Sequence, residues 1–474
     1  MSPEEFRATA HEVVDWIADY LHDVRRYPVV ARTTPGALTA SLPSIGPERG
    51  EPMDAILNDF FKLILPGITH WNHPRFFAYF SISGSGPGIL GEMLAAALNV
   101  NHMLWKTSPA ATELEQVTLG WLRQWLGLPE EFFGIIHDTA STSTMHAILA
   151  AREAAAPEAR LTGDFPPLVL YTSEHANSSV DKAALAVGVG LSHIRHVPCD
   201  DEFRMRPDAL AAQIQDDLAK GLKPFCVVPT VGTTSTASID PVAHVGELAR
   251  QHGLWMHVDA AYAGPAAVLE EYRYILEGAS QADSLVVNPH KWLFTPVDLS
   301  VLYLKRPDVM RRAVSLQEIP PYLASNDQAL NLTEYSVQLG RRFRSLKLWF
   351  VLRYYGREGI AAILREQIRV AAELVEAIPR DPRFEIAAPA LFSLVCFRYR
   401  GSDADNRELL DRINATGRAF LSSTQIHGRV VLRLAIGNIA ATRADVMETW
   451  ELIRSLAPDP AATPAAPPRP ESTV

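Results

Sequence analysis

The chain has 474 residues, 47% hydrophobic and 21% charged, a balance that fits a folded globular protein and excludes a disordered or fibrous one. Its formal net charge of −10 argues against a broad nucleic-acid-binding surface, while leaving room for a local pocket that takes one small anion. Three widely separated cysteines, Cys199, Cys226 and Cys396, suggest neither a disulfide framework nor a metal-type pair, which points to a reducing, cytoplasmic setting. The acidic start MSPEEFRATA leads into no apolar run, and no stretch is long enough to span a bilayer, so neither export nor a membrane is expected.

In HEVVDWIADYL, Val13, Val14, Ile17 and Leu21 recur at helical spacing and predict one apolar face. A second helical pattern, MDAILNDFFKLILP, ends at Pro66, and the proline- and glycine-rich stretch between the two reads as an extended crossing. Residues 1–85 thus form an N-terminal helical segment with little local partner surface, which a second subunit would supply. From residue 86 to 345, short apolar strands alternate with amphipathic helices: FGIIH, PLVLYTS, SHIRHVP, PFCVVPT, LWMHVDA, SLVVNP and LSVLYLK. That alternation predicts an α/β domain with a mostly parallel central sheet. Over 346–458, the helical GIAAILREQIRVAAELVEAI and the strands RFEIA, LVCFRYR and VVLRLAIG predict a small C-terminal α+β domain. The Pro/Ala-rich end, 459–474, has the composition of a disordered tail.

In an open α/β sheet, ligands bind beyond the carboxyl ends of the strands. Three predicted strands deliver polar groups there, ending at Thr230, at Asp259 and at the turn that carries Lys291. A carboxylate and a lysine on neighbouring strand ends suit pyridoxal 5′-phosphate (PLP), which needs an amine for its aldehyde and a carboxylate for its ring nitrogen. Singly, each residue would be read as half of a salt bridge or as a helix cap. In FGIIHDTASTSTMHAILAARE, a strand runs into a helix, placing Thr139, Ala140 and Ser141 where free N–H groups and the helix dipole favour a phosphate. Ordinary N-capping would use the same residue types.

The surroundings of these residues resemble a known family. NPHKWLF, Asn288 to Phe294, resembles the PLP-lysine motif of the group II amino-acid decarboxylases, and HVDAAYAG, His257 to Gly264, their ring-nitrogen motif. HPRFFAYF, SPAATELE and LGRRFRSLKLWFVLR are similar to further stretches of the aromatic-L-amino-acid decarboxylases within that group, in the same order from about residue 1 to 456. The resemblance implies a fold-type-I PLP-dependent enzyme, a homodimer with its site near the subunit interface. It implies that Lys291 holds PLP as a Schiff base, that Asp259 pairs with the pyridine N–H and that Thr230 lies near the ring. Ala140, Ser141 and Asn288 would hold the phosphate, and His290 would help to position the cofactor. Trp71, Tyr79 and Phe80 would line the substrate pocket, with Met103 in the 101–105 stretch contributing across the dimer. Gly340, in LGRRF, would leave room for an aromatic ring, unless a backbone turn alone requires the glycine. Tyr322, in the family's loop around 314–335, would help to protonate the reaction intermediate.

Two departures bear on the product. The family usually has histidine where this chain has Asn177, in SEHANSSVDKA, and the flanking match prevents nearby His175 from simply replacing it. Asparagine offers an amide but cannot shuttle a proton near neutral pH. Members with asparagine there resemble arylacetaldehyde synthases, which consume O2 and give aldehyde, CO2, ammonia and hydrogen peroxide. Tyr322 points the other way, toward the amine. Ser81 and Ile82 also replace the proline-threonine of many animal relatives, which alters the pocket. The expected activity is therefore decarboxylation of Phe-, Tyr-, Trp- or Dopa-like amino acids, with the aldehyde synthase as the alternative. A transaminase or a non-catalytic PLP-binding protein fits these motifs less well.

Overall fold

The structure, a computed structural model, describes residues 1–315 and 329–458. All seven strand patterns of the central region form strands: β1 (Phe133–His137), β2 (Leu168–Ser173), β3 (Ile194–Val197), β4 (Lys223–Val228), β5 (Trp255–Asp259), β6 (Ser284–Val287) and β7 (Ser300–Leu304). They make one sheet in the order β1-β7-β6-β5-β4-β2-β3. The sheet is mostly parallel, and only β7 runs against both neighbours. Most of its strands read as near-continuous apolar runs because both faces are covered; the edge strand β3 instead carries Arg195 and His196 out of the core. Ile136, Val169, Val227 and Met256 enter one core, while Ile135, Leu170, Cys226 and Trp255 enter the other.

A second, antiparallel sheet in the order β10-β11-β9-β8 forms the C-terminal region, from β8 (Phe384–Ile386), β9 (Leu394–Tyr399), β10 (Ser422–Ile426) and β11 (Arg429–Ala435). The sequence reading found three of these and missed β10, whose SSTQI is polar and alternates between half-buried and exposed positions. A separate core of Leu374, Phe397, Leu432, Trp450 and Ile453 lies beneath this sheet.

The helix that leads into it, Arg344–Ala377, begins earlier than the sequence pattern suggested and is broken at Gly356, whose φ of 63° a side chain would resist. It packs closely on the helix Gly86–Leu98, where a Cβ on Gly91 would fall 2.7 Å from the Lys347 Cα.

The helix Pro3–Asp23 forms as expected, with Ser2 and Glu5 in a capping box. Its predicted apolar face holds at Val13, Ile17 and Leu21, which are half-buried, but not at Val14, which is 40% exposed; no residue of the helix is fully buried within this chain. The contact side also carries aromatics: Trp16 stacks on Tyr20 and meets Phe60 edge-on, with ring centroids 5.2 and 5.6 Å away. Among the described residues, no helix is long and apolar enough to cross a membrane.

Candidate active site

The site forms where β4, β5 and β6 end side by side. A bridge between Thr230 and Asp259 continues the β4–β5 pairing past the strands, with Asp259 N donating to Pro229 O at 2.9 Å and Val231 N to Asp259 O at 2.8 Å. After β6, Asn288 opens the single helical turn Pro289–Trp292, which turns Lys291 back over the sheet edge. His290 braces that turn: its Nδ1 accepts from Leu299 N at 2.9 Å. Burial, with the Lys291 charge beside it, pushes the His290 imidazole down to about 3, so the ring is neutral in this role.

These residues enclose a cavity of about 210 Å³ whose walls include Phe80, Ala140, Ser141, Asn177, Thr230, Asp259, Asn288, His290 and Lys291. Burial lowers the Lys291 ammonium pKa, partly opposed by the Asp259 charge, and the same burial raises that of Asp259, partly opposed by Lys291. Burial thus makes the amine easier to deprotonate than a lysine in water, and the neutral form is the nucleophile. One wall is aromatic. Phe80 stacks on Tyr262 at 3.7 Å, Tyr262 stacks on Trp292 at 5.2 Å, and the Lys291 Nζ lies 5.4 Å from the Phe80 ring centroid.

The other end of the cavity suits an anion. The helix Ala140–Ala155 begins there, and its N-cap Thr139 makes no side-chain cap bond. Thr230 Oγ1 is buried without a partner, a costly state for a hydroxyl unless a ligand meets it; Asn288 Oδ1 is unpaired too, but an amide oxygen only accepts and so does not itself favour an anion. An amine, a buried carboxylate, an uncapped helix N-terminus and an unpaired hydroxyl around one small cavity fit PLP in aldehyde, ring nitrogen and phosphate.

Asn177 also lines the cavity, and its amide is engaged at both ends: Nδ2 donates to Thr234 Oγ1 at 3.1 Å, and Oδ1 accepts from Ser179 N at 2.9 Å. Four other expected residues lie elsewhere. Trp71 and Tyr79 stack on each other 5.9 Å apart, with Tyr79 54% exposed, and neither lines the cavity. Met103 sits against the 331–342 segment, its carbonyl accepting from Thr333 N at 3.3 Å. Gly340 is exposed, near Asn101, and its φ is not positive, so the backbone does not demand glycine there. Tyr322 lies outside the described residues, as does the tail.

Sequence reasoning missed Thr234, Gly232 and Tyr262 in the walls. It also missed Arg433 on β11, which is 4% exposed and donates to Thr234 O at 2.7 Å and Ser235 O at 3.1 Å. Tyr262 stood within a quoted motif, so its aromatic character was a usable signal. Arg433 gave none, because its contact depends on the C-terminal sheet meeting the 234–235 loop.

Residues 35–400 match the family profile described as the pyridoxal-dependent decarboxylase conserved domain. The aromatic-L-amino-acid decarboxylase of Rattus norvegicus is 41% identical, covering 96% of this chain and 98% of its own. The phenylacetaldehyde synthase of Arabidopsis thaliana is 39% identical, covering 96% of each. The crystal structure of Catharanthus roseus tryptophan decarboxylase in complex with L-tryptophan superposes with a TM-score of 0.91 at 38% identity, over 96% of this chain and 98% of that one. Fold, cavity chemistry and these likenesses agree: the chain belongs to the group II pyridoxal-dependent decarboxylases, PLP-dependent carboxy-lyases.

Proposed function

We propose that this protein decarboxylates aromatic L-amino acids to the aromatic amine and CO2, as a homodimer. The observation that carries the reading is the Lys291–Asp259 pair enclosed beside the Phe80–Tyr262 stack. PLP, when bound, supplies an electron sink for the bond to the departing carboxylate. The chain's own groups do the rest. Lys291 would present its amine to the cofactor aldehyde, and Asp259, in a buried site, would hold a proton on the ring nitrogen. The N–H groups at Ala140 and Ser141, with Asn288, would anchor the phosphate, and Thr230 would lie near the ring. Phe80 and Tyr262 exclude water from one side and offer a flat apolar surface to an aromatic side chain. Met103, Gly340, Trp71 and Tyr79 would reach the substrate only from a partner subunit or in an assembled interface. Tyr322 would serve as a proton donor.

Asn177 favours a second reading, the arylacetaldehyde synthase. Both ends of its amide are occupied, so the cavity wall has no titratable group at that point, and O2 could intercept the reaction before a proton arrives. Product analysis separates the two. With Phe, Tyr, Trp and Dopa as substrates, amine without peroxide is expected; stoichiometric aldehyde and peroxide would overturn decarboxylation as the main outcome. Asn177→His should lower any peroxide yield, and an unchanged ratio would show that this position does not control the product.

A further inference from the structure

Outside the catalytic cavity, the ends of β2 and β3 bring together three side chains that the chemistry above leaves unused. Glu174 and His175 follow β2, and Cys199 follows β3. The parallel pairing of Ser173 with Val197 sets the two strand ends level, and Glu174 N donates to Val197 O at 3.1 Å, carrying the contact one residue further. Cys199 N then donates to Glu174 Oε1 at 2.8 Å, which folds the carboxylate over the cysteine.

A carboxylate oxygen, an imidazole nitrogen and the thiol sulfur of these residues all lie within 4.8 Å of one another. Among the described residues, this is the one cluster of three or more potential ligands at such spacing. Two neighbours hold the group in place. The Ser173 hydroxyl lies 3.2 Å from the Cys199 sulfur and accepts from His175 N at 3.2 Å, while the His175 ring sits edge-on to Phe203 at 5.5 Å.

We propose that Glu174, His175 and Cys199 form a binding site for one divalent cation of the zinc class, with solvent completing its coordination. The ligand set decides the class of ion. Sulfur and imidazole nitrogen suit a borderline-soft ion, whereas magnesium and calcium take oxygen ligands. Ligands about 2.0–2.3 Å from a tetrahedral zinc stand roughly 3.5 Å apart, so from a spacing within 4.8 Å the side chains need to close in by at most about an ångström. The exposed Glu174 can move that far, and only its Oε1 is tied to the backbone. On binding, O–metal, N–metal and S–metal bonds replace water ligands of the aquo ion. The thiol proton leaves to solvent, and carboxylate and thiolate together balance the double charge. His175 stands two residues before Asn177, so an ion here would brace the segment that carries one wall of the catalytic cavity.

The test uses metal-freed holoenzyme titrated with cobalt(II), a spectroscopic stand-in for zinc. The expected result is one cobalt per chain, visible d–d bands of a tetrahedral ion, sulfur-to-cobalt charge transfer, and displacement by zinc but not by magnesium. Cys199→Ser should lose the charge transfer, and Cys199→Ser and His175→Gln should each weaken binding at least about tenfold. No saturable cobalt binding by the unaltered protein, equal displacement by magnesium, or affinity unchanged in both variants would overturn the proposal. The cofactor's own absorbance reports whether each variant has folded. Should one fail to fold, the stoichiometry and charge transfer of the unaltered protein decide.

Discussion

The electrostatics around Lys291 come from two opposed effects. Desolvation disfavours the charged forms of both Lys291 and Asp259, and each charge partly restores the other. Removing one therefore changes the other. Asp259→Asn leaves a similar shape but no charge, so it takes away the group proposed to keep the cofactor ring protonated. The expected loss is about 10²–10³-fold in kcat, the scale of deleting one directed electrostatic contact in an active site. Borohydride should still fix the cofactor to Lys291 in this variant, found by mapping the labelled peptide. Undiminished kcat would remove Asp259 from its proposed role.

At the scale of elements, a buried carboxylate behind the site ties the end of β4, which carries Thr230, to the segment that follows β3. Asp240 accepts from Met205 N through Oδ1 and from Thr230 N through Oδ2, both at 2.7 Å, and its own N–H donates to Thr230 O at 2.9 Å. Burial outweighs the two N–H bonds and pushes this carboxyl from its ordinary 3.8 up to about 7. The folded state therefore binds the extra proton more tightly than the unfolded chain does. The resulting stabilisation is fully present below about 3.8 and is lost as pH rises through about 7. Asp240→Asn removes this titration and turns an amide N–H toward one of the two backbone donors. It should cost about 1–3 kcal/mol in urea unfolding, with a flatter stability profile between those two pH values. A profile of unchanged slope would show that Asp240 does not titrate there.

At the scale of the whole molecule, one chain leaves a conspicuous apolar surface. On the helix Gly86–Leu98, Leu90, Met93, Leu94 and Leu98 are 55, 40, 49 and 60% exposed, and their spacing puts them in one stripe. Phe6, Ile45 and Ile56 of the N-terminal segment are exposed as well. Contiguous apolar patches of this kind mark interaction sites. The proposed homodimer would cover them, and sedimentation should give twice the 52.2 kDa of one chain. Leu90→Asp with Leu98→Asp should shift the protein toward monomer and reduce activity, since Met103 and Gly340 do not reach the cavity of their own chain. A monomeric unaltered protein would sink that reading.

Much of this was legible along the chain. The inner strands of the central sheet announced themselves as apolar runs, because burial on both faces imposes a local pattern that neighbouring residues carry; the edge strand β3, with Arg195 and His196, is weaker. Lys291, Asp259 and the Ala140–Ser141 turn were readable for the same reason: each sits at a strand end, within a motif whose members are close in sequence. β10 escaped because a polar, half-exposed strand lacks that pattern; of the face read on the first helix only Val14 stays exposed, while Trp16 and Tyr20 join Val13, Ile17 and Leu21 on the packing side. The tertiary structure alone decided the reversal of β7, the Phe80–Tyr262–Trp292 stack, and Arg433 on the 234–235 loop. It also decided the surroundings of Cys199, a lone cysteine that the order of strands sets beside Glu174 and His175, some 25 residues earlier. Periodicity reports what lies next along the chain; which distant side chains meet depends on strand order and register, and no local pattern records those.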